Sequence, residues 1–257
     1  MGFKINKYDR CVANKNINGK QCTICWYVDD TKISHVDPQV VDSVLGLIES
    51  KFGKMTVSRG KMHNFVGMDL EFKENGTVEI LMKEYIKECI EVFGERMRRV
   101  TTPAKSSLFE IKDKVEMSVE RQEICQHIVA KLLYISKRAR VDIDLVVSFM
   151  CTRVSMRTEE DWDKLRRLLN YLSGTIDMPR VIGANSMGTM ETYVDVSYAV
   201  HHDMKGHTGG ALTLGKGIIY GKATKQKMNT KSSTESELVG ASDYILWIVW
   251  TKSSLEE

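Results

Sequence analysis

Two adjacent carboxylates, Asp29 and Asp30, follow Tyr27-Val28 and the apolar run Cys22-Thr23-Ile24-Cys25-Trp26. Thr31-Lys32-Ile33-Ser34-His35-Val36 alternates again, so the segment reads as strand, acidic turn, strand. Two like charges at a hairpin tip repel unless a cation joins them, and hard divalent ions favour carboxylate oxygens. On a rigid support such a pair suits a two-metal clamp on a phosphoryl transfer. The plainer alternative is a solvated Asp-Asp turn. A second acidic set lies far downstream: Asp195 after Tyr193-Val194, and Glu235 and Glu237 within Ser232-Ser233-Thr234-Glu235-Ser236-Glu237. Between them, the stretch from Lys216 to Lys231 holds five lysines and no acid, with Lys222, Lys225 and Lys227 at its centre. Such a run is either solvated or a track for phosphates. His201, His202 and His207 cluster after Asp195 and read as polar loop residues rather than metal ligands.

The elements that must position these residues follow from periodicity. Asp37-Pro38 opens a helix whose stripe is Val40, Val41, Val44, Leu45, Ile48 and Phe52, and Gly53 stops it. Met62 to Phe72 reads as one strand, Asn75-Gly76 as a tight turn, and Thr77 to Met82 as the return strand. Tyr85 to Phe93 makes a short helix ending at Gly94. Residues 1–95 therefore form an α+β unit.

The middle, 96–185, is helical: Ile124 to Ile135, Ile143 to Val154, and a third pattern from Thr158, with Asp161 in a near capping box, to Gly174. Its clusters Lys137-Arg138-Ala139-Arg140 and Arg166-Arg167 read as solvated faces or, less simply, as phosphate contacts. Gly183 to Gly188 is the best linker. From there, 189–257 shows strands at Thr192–Tyr198, Thr208–Leu214 and Ile218–Tyr220. A helix carrying Leu238, Ala241, Ile245 and Ile248 comes last, capped by Ser232-Ser233-Thr234. Glu235 and Glu237 both flank that stripe, so amphipathicity does not choose between them.

With 257 residues, 42% hydrophobic and 28% charged, the composition is that of an ordinary globular chain, and its net charge of +3 does not by itself argue for nucleic acid. No stretch reaches the ~18 apolar residues of a membrane span, and Met1-Gly2-Phe3-Lys4 lacks the apolar core of a signal peptide. An intracellular setting, cytoplasmic or nuclear, is expected, with reduced cysteines. Cys22 and Cys25, three apart on a strand, point to opposite faces and do not read as a metal knuckle.

Taken in order, these motifs resemble one family. Tyr27-Val28-Asp29-Asp30 resembles the polymerase signature of reverse transcriptases, and Phe65-Val66-Gly67-Met68-Asp69-Leu70 resembles their primer-gripping strand. Arg138-Ala139-Arg140-Val141-Asp142-Ile143 is similar to the Arg-Pro-Asp-Ile region of copia-type retrotransposon polyproteins, with Val141 at the proline. Tyr193-Val194-Asp195 and Ser232 to Glu237 resemble the first strand and first helix of their ribonuclease H domain, with Ser197-Tyr198 in place of an acidic-aromatic pair. The resemblance spans nearly the whole chain. It implies the C-terminal part of a palm over 1–95, a helical thumb or connection over 96–185, and the N-terminal half of a ribonuclease H-like α/β domain over 189–257.

The resemblance also implies roles. Asp29, Asp30, Asp195 and Glu237 would be the catalytic Mg²⁺ (or Mn²⁺) ligands, the choice of Glu237 resting on the family pattern. Tyr27 and Met68 would lie at the primer, and Lys222, Lys225 and Lys227 on an RNA–DNA hybrid. The partners would be an RNA template, a DNA primer and the rest of the polyprotein, including protease and integrase, in a cytoplasmic particle or the nucleus.

The family's polymerase also uses an aspartate upstream of the signature, and its ribonuclease H further carboxylates beyond the first helix; Asp243 does not match the next of these. The expectation is therefore a segment of a longer polyprotein, without robust polymerase or ribonuclease activity as an isolated chain. A nucleic-acid-binding remnant without chemistry is the second reading. The apolar run Ile245 to Trp250, if left uncovered, would favour aggregation.

Overall fold

The computed structural model describes residues 1–112, 115–154, 157–186 and 188–257. It is mixed α/β, in keeping with the α+β expectation. The chain divides into two compact units, residues 1–67 with 246–257, and residues 68–245. Among the described residues no helix is long and apolar enough to cross a membrane.

In the first unit, β1 (Lys4–Ile5), β2 (Val12–Ile17), β3 (Lys20–Tyr27) and β4 (Asp30–Ser34) form an antiparallel meander in that order. Asn18-Gly19 closes β2 onto β3 with both residues at positive φ, the backbone that an Asn-Gly turn adopts without strain. Helix α1 (Pro38–Phe52) starts where Asp37 accepts the Gln39 amide at 2.9 Å, and ends at Gly53. Its Val40 and Val44 bury against Cys22 and Ile24, which makes the core of this unit. Cys25, on the other face of β3, is half-buried. Strand β5 (Met62–Phe65) ends at Val66-Gly67, both with positive φ, so the single strand expected from Met62 to Phe72 is broken there. In the same unit, Glu257 pairs with Lys4 at 2.7 Å and Asn6 donates to the Ser254 carbonyl at 3.1 Å.

The second unit begins with β6 (Met68–Phe72), β7 (Val78–Leu81) and α2 (Lys83–Phe93). Three helices follow, α3 (Val119–Arg138), α4 (Asp144–Cys151) and α5 (Glu159–Gly174), the last entered through a complete capping box of Thr158 and Asp161. Helix α4 stops at Cys151, which leaves Val154 exposed rather than on its stripe. Ile128, Leu132, Ile143, Leu165, Leu168 and Leu172 are fully buried between these helices, and Phe93 stacks on Trp162 at 4.6 Å. Strand β8 (Arg180–Ala184) pairs with β7, so Gly183 and Ala184 belong to a sheet and not to a linker; Met187 lies outside the described residues.

Strands β9 (Glu191–Ser197), β10 (His207–Thr213) and β12 (Ile218–Lys225) form a separate antiparallel sheet in the order β12-β10-β9, while β11 (Gly215–Lys216) pairs with β8. The third expected strand thus runs five residues further, to Lys225 rather than Tyr220. Helix α6 (Ser233–Glu256) follows, its residues up to Ile245 counting with this unit.

The basic cluster at the end of α3 is partly a structural knot. Arg140, only 2% exposed, holds Asp142 through two bonds of 2.9 and 2.8 Å and donates to the Thr175 carbonyl at 3.0 Å. It is therefore not on a solvated face. Arg180 similarly donates to the Ile218 and Arg138 carbonyls, at 2.7 and 2.6 Å.

Candidate functional site

The acidic hairpin is built from local rules. Register pairs Tyr27 with Asp30, which leaves a two-residue loop, Val28-Asp29. Val28 sits at φ +54° and is 87% exposed. A β-branched residue in that region is an outlier, costing about 1–3 kcal/mol, and such strain collects at ligand sites. The conformation is imposed by β3, locked to β2 from Val12–Cys25 to Ile17–Lys20, and by Asp30, whose carboxylate accepts the Val66 amide at 3.2 Å. The turn that follows β5 is thereby tied to the acidic tip. Asp29, Asp30 and Tyr27 are all exposed, and no cationic side chain among the described residues pairs with either carboxylate.

The second acidic region is set by long-range packing. Asp195 pairs with Gly209 in the sheet. A Cβ on Gly240 of α6 would meet the Val196 side chain at 2.4 Å and the Thr208 side chain at 3.3 Å, so Val196 and Thr208 point at the helix. Alternation then puts Asp195 on the opposite face, in an open concavity with Tyr193 and Gly209. Glu237 is exposed on α6, on the other side of the sheet. The structure therefore brings Asp29 and Asp30 together, but not Asp195 and Glu237. Glu235 is occupied otherwise: it accepts the Lys231 amide at 2.6 Å, while Ser232 Oγ accepts the Glu235 amide at 3.2 Å, which caps α6.

The helix does not present the face expected of it. Ser236, Gly240 and Tyr244, four residues apart, meet the sheet, whereas Leu238 is 69% and Ile245 55% exposed. The Tyr244 ring fills the space that a Cβ on Gly210 would need, at 2.2 Å. Its hydroxyl lies 2.6 Å from the Gly210 carbonyl and 2.7 Å from that of Lys222, two acceptors for one proton. Burial pushes this phenol above its ordinary range. Ser236 is anchored by Gln226, which also holds Thr208.

The lysines do not share a face. Lys222 and Lys225 are three apart on β12 and so point to opposite sides of the sheet, and Lys225 pairs with Asp203 at 2.8 Å. Lys227 is exposed beyond the strand, and Lys216 sits in β11 of the other sheet. Met68 begins β6 and is half-buried.

Two groups were not legible as site neighbours. His201 and His207 are buried and hydrogen-bonded at 2.9 Å, with Phe109 edge-on to His201; only His202 is the exposed loop residue expected of all three. Burial, then the Lys225 charge, lowers His201 to about 4. Burial, then His201 and Lys225, does the same to His207. Asp144, buried, gathers Lys137 at 2.6 Å, Ser136 at 3.0 Å and the Ala223 amide at 2.6 Å, joining α3, α4 and β12. The only sequence signal for either group is a polar residue inside an otherwise apolar or short segment.

For a divalent cation, the adjacent carboxylates of Asp29 and Asp30 offer suitable donors: Mg²⁺ is commonly held by one or two carboxylates, with substrate phosphates completing its shell. Among the described residues no group of three or more His, Cys, Asp or Glu side chains converges as a closed protein cage would require.

Comparison with known proteins gives a consistent set of relatives. A Ty5-1 transposon protein of Saccharomyces cerevisiae is 27% identical over 88% of this chain and 73% of its own length. A retrovirus-related Pol polyprotein from transposon RE1 of Arabidopsis thaliana is 26% identical over 90% of the chain, and a transposon Ty1-LR3 Gag-Pol polyprotein of Saccharomyces cerevisiae 19% identical over 88%. The chain spans only 16% and 14% of those two polyproteins. No protein-family model and no solved structure matches.

Proposed function

We propose that this chain, whose homologues are Ty1/copia-type transposon polyproteins, is the portion of a retroelement RNA-directed DNA polymerase that carries its acidic signature and the start of a ribonuclease H-like domain. In this reading residues 1–95 belong to a palm, 96–185 to a thumb or connection, and 189–257 to the ribonuclease H-like part. The observation that carries it is the Asp29-Asp30 pair at the tip, displayed by the strained two-residue loop Val28-Asp29 and fixed by the Asp30–Val66 bond.

Mg²⁺ or Mn²⁺ bound there would activate a primer hydroxyl and neutralise a leaving pyrophosphate. The chain's own residues have simpler tasks. Asp29 and Asp30 hold the cation on a rigid hairpin, Tyr27 borders the primer terminus, and Met68 grips the primer from β6. An RNA template and a DNA primer are the partners, within the rest of the polyprotein. Of Lys222, Lys225 and Lys227, one of the two strand lysines, which face opposite sides of the sheet, would contact the phosphates of an RNA–DNA hybrid together with Lys227.

The test is Mn²⁺ and Mg²⁺ titration of the chain with and without a primer–template, in the parent and in Asp29→Asn. Cation binding that strengthens with primer–template and disappears in the variant supports the reading; binding untouched by the variant rejects it.

One observation favours a second reading for the 189–257 part. Asp195 and Glu237 lie on opposite sides of the sheet, an arrangement suited to holding a hybrid without cleaving it. Hybrid binding that weakens steeply with salt but ignores Mg²⁺ would select this reading.

A further inference from the structure

A cavity of about 380 Å³ opens in the second unit between residues 100–108 and α5, and shares no lining residue with either acidic region. Its floor is apolar, from buried Leu108 and from Val146 of α4. The 100–108 wall is wound tightly: Thr102 Oγ1 donates to the Ala104 carbonyl at 3.0 Å, and the Leu108 amide to the Lys105 carbonyl at 3.1 Å.

Helix α5 lines the other wall with charge, and most of that charge is already matched. Lys164 lies 3.3 Å from Glu160 and donates to the Glu110 carbonyl at 2.6 Å. Arg166 bonds Glu95 at 2.5 and 3.1 Å and pairs with Asp163. Two cations remain. Arg167 reaches a neutral acceptor, Thr102 Oγ1, at 2.7 Å, and its Nε is buried without a hydrogen-bond partner. Lys105 is exposed on the facing wall, and among the described residues no carboxylate pairs with it or with Arg167.

A buried guanidinium N–H left without an acceptor costs free energy, and such an atom marks strain or a ligand position. The Arg167 side chain also lines an apolar-floored hollow within the size range of small-molecule sites. Two unmatched cations at the mouth of that hollow select an anion with an apolar body. The arginine fork suits a phosphate through paired bonds, and the lysine adds a point charge. We infer that this cavity binds a nucleotide 5′-phosphate, the phosphate between Arg167 and Lys105 and the base against Leu108 and Val146. The inference goes beyond the proposed function and uses none of its residues. A free mononucleotide and the 5′-phosphorylated end of a strand present the same chemistry.

The experiment is isothermal titration of the full chain with adenosine 5′-monophosphate, inorganic phosphate, and short oligonucleotides bearing a 5′-phosphate or a 5′-hydroxyl. Saturable nucleotide binding is expected, weakened about tenfold or more by Arg167→Gln and by Lys105→Gln, each of which removes a charged hydrogen bond. Lys20→Gln, at an exposed site in the other unit, should leave it unchanged. Lys105 is exposed, so its variant keeps the fold, which circular dichroism checks. A preference for the 5′-phosphorylated oligonucleotide identifies a strand end as the source, and equal oligonucleotide binding identifies the free nucleotide. Absence of saturable nucleotide binding, indifference to both substitutions, or inorganic phosphate binding as tightly as the nucleotide would each overturn the inference.

Discussion

The two acidic regions of this chain are built in opposite ways. Asp29 and Asp30 are neighbours in sequence, and one strand register with a two-residue loop suffices to display them together. Asp195 on β9 and Glu237 on α6 are separated by three further strands, and their relation depends on which face of each element turns inward. The first region is exposed and strained; the second rests on buried contacts among Tyr244, Gly210, Gln226 and Ser236. A site encoded locally keeps its geometry under change elsewhere, whereas a site assembled from distant elements inherits every packing decision between them.

The sharpest way to break this contrast is with Mn²⁺. Paramagnetic broadening of amide resonances should centre on Tyr27 to Asp30, and the double variant Asp29→Asn, Asp30→Asn should weaken binding more than about a hundredfold, beyond the loss typical of groups that only support ligands. Broadening shared by Asp195 and Glu237 would instead mean that the second region also forms one cation site, and the contrast would fail. Next in size is Gly210→Ala. Its Cβ would lie 2.2 Å from the Tyr244 ring, so unfolding by urea should show a loss of about 1–3 kcal/mol from overpacking. A neutral result would mean that α6 is not seated on the sheet as described.

Acid should expose the buried support of the second region. His201 and His207 titrate near 4 in the folded chain against an ordinary 6.5. Between those values the unfolded chain binds more protons, so stability rises with pH across this window. The contribution is complete above about pH 6.5 and is lost as pH falls through 4. Denaturation series from pH 7.5 downward should show that slope, and His201→Phe should flatten it. The smallest effect belongs to the hairpin: Val28→Gly relieves the positive φ and should stabilise the chain by about 1 kcal/mol. Destabilisation would mean that Val28 is not strained.

What the sequence made legible follows the same division. Asp37-Pro38 and Gly53 bounded α1, Asn75-Gly76 marked a turn, and Thr158 with Asp161 marked the start of α5, because caps and turns are settled by groups a few residues apart. The acidic hairpin was readable for that reason too. The orientation of α6 was not, since Ser236-Gly240-Tyr244 looks polar while Leu238 and Ile245 look like a core stripe. What decided it was close approach: a glycine lets the helix reach Val196 and Thr208, and a tyrosine hydroxyl finds two carbonyls. The break at Val66-Gly67 was hidden because valine gives no turn signal. Arg140 reads as surface in the sequence because its bonds to Asp142 and to the Thr175 carbonyl, which bury it, form only on folding.

The fit of Tyr244 over Gly210 also ties the histories of two positions 34 residues apart. Neither can be enlarged alone, and shrinking the ring to an aliphatic would strand a void over the strand and release two carbonyls. Among descendants of this sequence the two sites should therefore change in concert, a bulkier strand residue arriving only with a slimmer helix residue. Drift would leave its mark there as paired substitutions, while positions such as Leu238, facing outward, are free to wander singly.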